Sequence, residues 1–290
     1  VKGWSFGIRP EVLQKNVNKA KKQGAEIVVL LSHNGFDVDQ KLASMIDGID
    51  VILTGHTHDA IPKGIRIKDT LLLSSGSHGK YLGRIDLKVK NGKVVDTSSN
   101  LIPVFSDIIP PDPDMTKLIN KIRAPYQSEC NRVIGETETL LYRRGNFNGS
   151  WDDVICDTII RERDTEISLS PGFRWGTTLL PGQKITIDDI YSQTSMNYPE
   201  VYRIEMTGKM IKEILEDVCD NIFNPDPFFQ QGGDMVRVGG LTYTCRPKNK
   251  MGNRISNLRI ISSDKPLESN KNYVVGGWGS VNQNVKGPQI

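Results

Sequence analysis

Apolar and polar positions alternate first with a helical period. Residues 10–23, Pro-Glu-Val-Leu-Gln-Lys-Asn-Val-Asn-Lys-Ala-Lys-Lys-Gln, predict an amphipathic helix, with Pro10 suited to its first turn and Gly24 to its stop. A continuous apolar run, Glu26 to Leu31, is rich in β-branched residues and predicts a strand buried on both faces. Ser32-His33-Asn34-Gly35 follows as a loop, and a short helix is expected over Gln40–Met45. A second apolar strand, Asp50-Val51-Ile52-Leu53, leads into the loop Thr54-Gly55-His56-Thr57-His58-Asp59. This is an α/β pattern, and such folds bind ligands in loops at the carboxyl ends of strands. Both histidine-bearing loops lie at such ends.

Further strands are predicted over 70–75 and 82–89, with Asn91-Gly92 as a hairpin turn. Pro103, Pro110, Pro111 and Pro113 punctuate a break, after which a helix near 114–128 links two halves. From about Val133 the pattern becomes α+β. Helices are expected near 151–163 and 208–221, and strands near 201–206, 255–262 and 272–276. The expected division is 1–104, a linker and helix over 105–132, and a second domain over 133–290.

Composition narrows the function classes. The 290 residues are 37% hydrophobic and 24% charged, which excludes a disordered or collagen-like chain. A net charge of +3 is too weak to argue for nucleic acid or an anionic membrane surface. The longest purely apolar run, Ile27–Leu31, falls far short of the ~20 residues of a membrane span. Val1-Lys2-Gly3-Trp4 starts no secretory apolar segment, and without an initiator Met the chain reads as a mature product or a fragment. Cys130, Cys156, Cys219 and Cys245 form no CxxC pair; they permit disulfides or buried thiols equally.

The histidines are concentrated. His33, His56, His58 and His78 are the only four, all within the first 78 residues. His33 and His56 stand on successive strand-end loops, and His56 and His58 can converge on one ion. Neutral imidazole is a common ligand of Zn, Mn, Fe and Ni. Gly55 permits a tight backbone before His56, and Asp59 could orient an imidazole. The alternative is a set of hydrogen-bonded loop histidines, which is the reading preferred for His78.

Leu31-Ser32-His33-Asn34-Gly35 and Gly55-His56-Thr57-His58-Asp59 resemble the last two metal motifs of the calcineurin-like metallophosphoesterases, in particular the 5′-nucleotidase branch. Gly172-Phe173-Arg174-Trp175-Gly176, Pro181-Gly182-Gln183-Lys184-Ile185-Thr186 and Tyr202-Arg203-Ile204-Glu205-Met206-Thr207-Gly208 resemble that branch's C-terminal domain. Trp4–Arg9, Gly172–Gly176 and the run Gln230-Gln231-Gly232-Gly233-Asp234-Met235-Val236-Arg237-Val238-Gly239-Gly240 narrow the resemblance to the thiosulfohydrolases of the bacterial sulfur-oxidising (Sox) system. Gly276-Gly277-Trp278-Gly279-Ser280 stands where nucleotidases carry a base-sandwiching aromatic pair, which favours a non-nucleotide substrate.

The resemblance implies an α/β fold. It would comprise part of a four-layer metallophosphoesterase α/β sandwich followed by a 5′-nucleotidase-type α+β C-terminal substrate domain. It implies two Mn(2+), with Zn or another divalent metal as the alternative, held by His33 and His56 on one ion and His58 on the other. It implies hydrolysis of sulfate from a cysteine S-thiosulfonate on the SoxYZ carrier protein, in the periplasm, by a monomer that binds no nucleic acid. Arg174 is the catalytic and substrate-binding candidate, because a guanidinium fork suits sulfonate oxygens. Trp175 would wall the cleft, or pack in the core. Asp234 and Arg237 would shape the carrier channel, or form a surface salt bridge. Asn146 and Asp157 match family positions but suit capping and turn roles.

The superfamily's earlier motifs, Asp-x-His, Gly-Asp-x-x-Asp and Gly-Asn-His, have no counterpart before His33, where neither Asp nor His occurs. The chain is therefore expected to be the C-terminal portion of a longer protein, poor at holding metals by itself and inactive alone. Two alternatives stand beside the thiosulfohydrolase: a periplasmic 5′-nucleotidase or phosphoesterase, and a non-catalytic carrier-docking module.

Overall fold

The computed structural model describes residues 7–143, 145–173, 176–194, 200–230 and 232–278. Arg174 and Trp175 lie outside the described residues, as do Trp4-Ser5-Phe6 and Gly279-Ser280. The chain divides into two compact units. The first is Val1–Thr116 with Pro225–Gly232, and the second is Lys117–Asn224 with Gly233–Ile290. The fold is mixed α/β, and among the described residues no helix is long and apolar enough to cross a membrane.

The first unit runs α1 (Pro10–Lys22), β1 (Val29–Ser32), α2 (Phe36–Met45), β2 (Val51–Thr54), β3 (Ile65–Ile67), β4 (Thr70–Ser74), β5 (Tyr81–Lys90) and β6 (Lys93–Pro103). Its sheet has the order β1-β2-β4-β3. β1, β2 and β4 are parallel, with Leu30 opposite Ile52 and Ile52 opposite Leu72. Those three residues face a core of Val17 from α1 and Val38, Leu42 and Ala43 from α2. α2 starts four residues earlier than the sequence pattern suggests. Gly35 at φ +103 turns the chain, and Asp37 and Asp39 sit in the first turn, where carboxylates favour a helix N-terminus.

β1 carries the apolar run that predicts a strand. Its burial alternates: Val29 is 52% exposed and Leu31 83% exposed. β1 lies at the end of the sheet that this chain forms. On the face away from the helices, Leu71 and Leu73 of β4 are buried, Leu53 of β2 is partly exposed, and the row ends open at Leu31. The β5–β6 hairpin covers the β4 end: the Cβ direction of Gly83 points at Leu73, and that of Gly64 at Leu71 and Ser99. Asn91 and Gly92, at φ +52 and +68, form the predicted turn between β5 and β6 in the left-handed conformation that suits a two-residue hairpin.

α3 (Pro113–Arg123) spans the boundary, and the second unit continues α4 (Gln127–Cys130), β7 (Val133–Glu136), α5 (Ser150–Arg163), β8 (Ile167–Ser170), β9 (Lys184–Thr186), α6 (Ile187–Thr194), β10 (Val201–Thr207), α7 (Gly208–Ile222), β11 (Arg237–Gly239), β12 (Leu241–Cys245), β13 (Ile255–Ile260), β14 (Lys265–Pro266) and β15 (Asn272–Trp278). Its main sheet is β10-β15-β8-β11, beside a three-stranded sheet β12-β13-β14 and a pair β7-β9. α7 begins where Thr207 Oγ1 accepts the Met210 amide, and it buries Ile211, Ile214, Leu215 and Cys219 against Ile167, Leu169, Met206 and Val275.

Inside this unit lies an ion network. Arg143 Nε donates to Asp152 Oδ1 at 2.7 Å, and Arg237 Nε stands 3.2 Å from Asp152 Oδ2. All three side chains are fully buried. Arg143 also donates to the Gln193 and Pro171 carbonyls, and Arg237 to that of Gly145. Burial pushes the Asp152 carboxyl up, and the charges of Arg143 and Arg237 act against that shift. Removing one member of a buried ion network strands the others in a medium of low polarity. Asp152→Ala is expected to destabilise this unit by about 3–5 kcal/mol, read as a lowered urea midpoint at unchanged slope.

Candidate functional site: three histidine loops on one sheet edge

Because β1, β2 and β4 are adjacent and parallel, the loops that follow them leave from one edge of the sheet. His33 follows β1, His56 and His58 follow β2, and His78 follows β4. The His33 and His56 rings are 5.1 Å apart between centroids, and the His58 and His78 rings 5.8 Å. His78, which the sequence reading leaves as an ordinary loop residue, thus stands ring to ring with a candidate ligand. Its Nδ1 lies 2.9 Å from Ser77 Oγ.

Hydrogen bonds sew the loops together. The Gly55 amide donates to the Ser32 carbonyl at 3.0 Å, and the Phe36 amide to Thr57 Oγ1 at 3.2 Å, tying β1's loop to β2's. The Gly76 amide and Ser74 Oγ both donate to the Asp59 carbonyl, at 2.8 and 2.5 Å, tying β2's loop to β4's. Beneath them Asp39, fully buried on α2, accepts Ser32 Oγ at 2.7 Å, and Ser32 Oγ in turn accepts from the Asn34 amide and side chain. Burial raises the Asp39 carboxyl above its ordinary range, the bond from Ser32 opposing it.

The backbone is strained at these residues. Eight non-glycine residues have positive φ among the described residues. Four are Asn or Asp, which tolerate it, one is Lys68, and the other three are His56 (+77), His58 (+61) and His78 (+59). Each such residue costs about 1–2 kcal/mol and persists only where its surroundings enforce it, most often at functional sites.

A segment remote in sequence completes the site. Pro225–Gly232 belongs to the first unit, and Lys41 on α2 anchors it. Lys41 Nζ lies 2.5 Å from Asp226 Oδ1 and 4.0 Å from the centre of the Phe228 ring. The Phe228 amide closes on Asp226 Oδ1 at 2.9 Å. Gly232, at φ +78, is then so close to His56 that a Cβ there would stand 2.5 Å from its Nε2. Sequence reasoning noticed this glycine run and had no means of bringing it to His56.

Imidazole pairs are a donor set that suits divalent transition metals. Each pair offers two donors, and among the described residues no group of three or more His, Cys, Asp and Glu side chains forms a shell. The residues therefore fit a metal as partial shells. Asp234 and Arg237, expected at the substrate, lie in the second unit's interior: Arg237 is fully buried and Asp234 Oδ2 is 3.7 Å from its Nη2. The two do face one another as an ion pair, inside the unit and not at its surface.

The 5′-nucleotidase C-terminal domain family matches residues 133–279, half of the chain. The chain belongs to this family. Its relatives are hydrolases. The trifunctional nucleotide phosphoesterase YfkN of Bacillus subtilis is 25% identical over 91% of this chain and 19% of its own length. The venom 5′-nucleotidase of Gloydius brevicauda is 22% identical over 91% of this chain and 50% of its own. Among solved structures, the sulfate thiohydrolase SoxB of Thermus thermophilus is 36% identical with a TM-score of 0.91, covering 99% of this chain and 54% of that one. A 5′-nucleotidase precursor from Thermus thermophilus shares the fold at 20% identity and a TM-score of 0.81, over 98% of this chain and 62% of that one. This family member thus spans about half the length of the venom relative and of the SoxB structure.

Two outcomes follow. Gly232→Ala is expected to displace the His56 ring and weaken metal retention by at least about tenfold, measured by titration against a chelating indicator, with an unchanged circular dichroism spectrum. For Asp39, a raised folded-state value means its ionisation opposes folding once pH passes the unfolded value of 3.8. The melting temperature of Asp39→Asn minus that of the parent is therefore expected to grow more positive from pH 4 to pH 7.

Proposed function

We propose that this chain serves a metal-dependent hydrolase that releases sulfate from a cysteine S-thiosulfonate on a SoxYZ-type carrier in the periplasm. The observation that carries the reading is a contrast. Against two solved proteins of one bacterium, the chain is 36% identical to the sulfate thiohydrolase and 20% to the nucleotidase. The glycine run at His56 belongs to the segment that resembles the thiosulfohydrolases.

His33 with His56, and His58 with His78, would hold the ions through neutral imidazole nitrogens, Mn(2+) being the proposed metal. The remaining donors would come from outside these residues. When bound, divalent metals activate water at neutral pH and offset the charge on anionic oxygens. The left-handed backbone at His56, His58 and His78, tied by bonds between the loops, would keep the loops in shape before an ion arrives, so little backbone reorganisation would be needed on binding. Gly232 leaves room at His56 Nε2. Arg174 would fork onto two sulfonate oxygens, as guanidinium does with carboxylate and phosphate oxygens. Water adds to the terminal sulfone sulfur, the sulfur–sulfur bond breaks, and sulfate and a carrier persulfide separate with release of a proton.

The family match and the curated relatives favour a second reading, a nucleotide phosphoesterase. The test is sulfate release from thiosulfonate-loaded carrier, run beside phosphate release from AMP, on the full-length protein loaded with Mn(2+). Expected is sulfate release that chelation abolishes. The His56→Ala, His58→Ala double variant is expected to lose at least about a hundredfold, since metal stabilisation is worth several kcal/mol. Phosphate release with no sulfate would establish the phosphoesterase instead. No stoichiometric metal and neither activity would leave a carrier-docking module.

A further inference from the structure

Cys219 and Cys245 meet in the second unit with their sulfurs 3.3 Å apart. They come from different elements: Cys219 lies in the last turn of α7, and Cys245 ends β12 opposite Ile255 of β13. The contact joins positions 26 residues apart in the chain. Cys219 is fully buried in the main core, while Cys245 is part-exposed. A disulfide needs about 2.05 Å between sulfurs, so closure asks for a shift of roughly 1.2 Å, which side-chain torsion can absorb. One buried and one reachable thiol is the arrangement that allows an outside disulfide to enter at one sulfur and leave by the other.

We propose that Cys219 and Cys245 form an intramolecular disulfide when the protein meets a disulfide oxidant, such as glutathione disulfide or the disulfide form of a dithiol oxidoreductase. The Cys245 thiolate attacks one oxidant sulfur, and the oxidant's other half leaves as a thiol. The Cys219 thiolate then attacks the Cys245 sulfur of the mixed disulfide and expels the second thiol. Two cysteine thiols are oxidised, and one oxidant disulfide is reduced to two thiols.

Burial and the neighbouring Cys245 hold the Cys219 thiol up, so its reaction waits for the mixed disulfide to sit beside it. Arg254 works the other way, favouring the thiolate. Its guanidinium is fixed close by, 2.6 Å from Asp220 and bonded to the Phe223 and Pro247 carbonyls. The closed loop contains Pro225–Gly232, the segment that reaches His56. The cross-link therefore limits how far the two ends of that segment can part in the unfolded chain.

The test compares protein treated with glutathione disulfide against protein held in dithiothreitol. Denatured mass spectrometry is expected to show loss of two hydrogen atoms' mass. A peptide map is expected to join Cys219 to Cys245, and the melting temperature to rise by roughly 5–10 °C for a loop of this length. Cys130→Ser with Cys156→Ser should leave all three results unchanged, and Cys245→Ser should abolish them. The inference is overturned if four thiols still titrate in denaturant after oxidation. It is also overturned if an oxidant half stays attached at Cys245, or if the linked peptides contain Cys130 or Cys156.

Discussion

The parallel pairing of β1, β2 and β4 is the constraint on which the candidate site rests. Register places Ser32, Thr54 and Ser74 at matching ends of three neighbouring strands. Every loop that follows must then begin within about 5–10 Å of the next, the spacing of one or two strands. No side-chain chemistry is needed to gather the histidines; the sheet does it. The helices support this from one face. α2 does so twice, through the apolar residues it buries and through Asp39, whose carboxyl receives the hydroxyl that also orients Asn34 beside His33. A slip of β1 against β2 by one residue would turn Leu30 out of the core and carry His33 away from His56.

Much of this was legible in the chain because it is local. The period of α1, the apolar runs of β1 and β2, the Asn91-Gly92 turn and the helices α5 and α7 announce themselves within a few residues. The α/β pattern also places the histidine loops at strand ends. Two features were not legible, for different reasons. β1 reads as buried on the strength of its apolar run, which carries no record of what covers each face. Gly232 and Lys41 could not be linked, since 185 residues separate Lys41 from its partner Asp226. Loop closure over that distance is a property of the folded topology alone.

Arg237 illustrates how charge misleads. A guanidinium in a glycine-rich segment suggests a site for an anion, yet here Asp152, Asp234 and the Gly145 carbonyl occupy it inside the second unit. The glycines serve packing instead. A Cβ at Gly239 would meet Cys156 and Ser168, and one at Gly240 the Glu166 carbonyl. The run Gly232–Gly240 thus does two jobs along one stretch of chain, opening space at His56 at its start and admitting α5 and β8 at its end.

The strain at His56, His58 and His78 bears on how such a site is kept. Three left-handed non-glycine residues together cost several kcal/mol, a sizeable part of a domain's net stability. Glycine would relieve that cost and remove the imidazoles with it; asparagine would tolerate the backbone and offer a poorer nitrogen donor. The loops instead retain histidine, and the expense is carried by bonds from the Gly55, Phe36 and Gly76 amides, which hold the turns from neighbouring strands. Loops held this way would lose little backbone freedom on taking up a metal, leaving for affinity the binding energy that would otherwise order them. The same arrangement makes the loops depend on the sheet edge. Whatever loosens β4 from β2 would release His78 from His58 before it disturbed His33, because the Asp59 carbonyl is the link between those two loops.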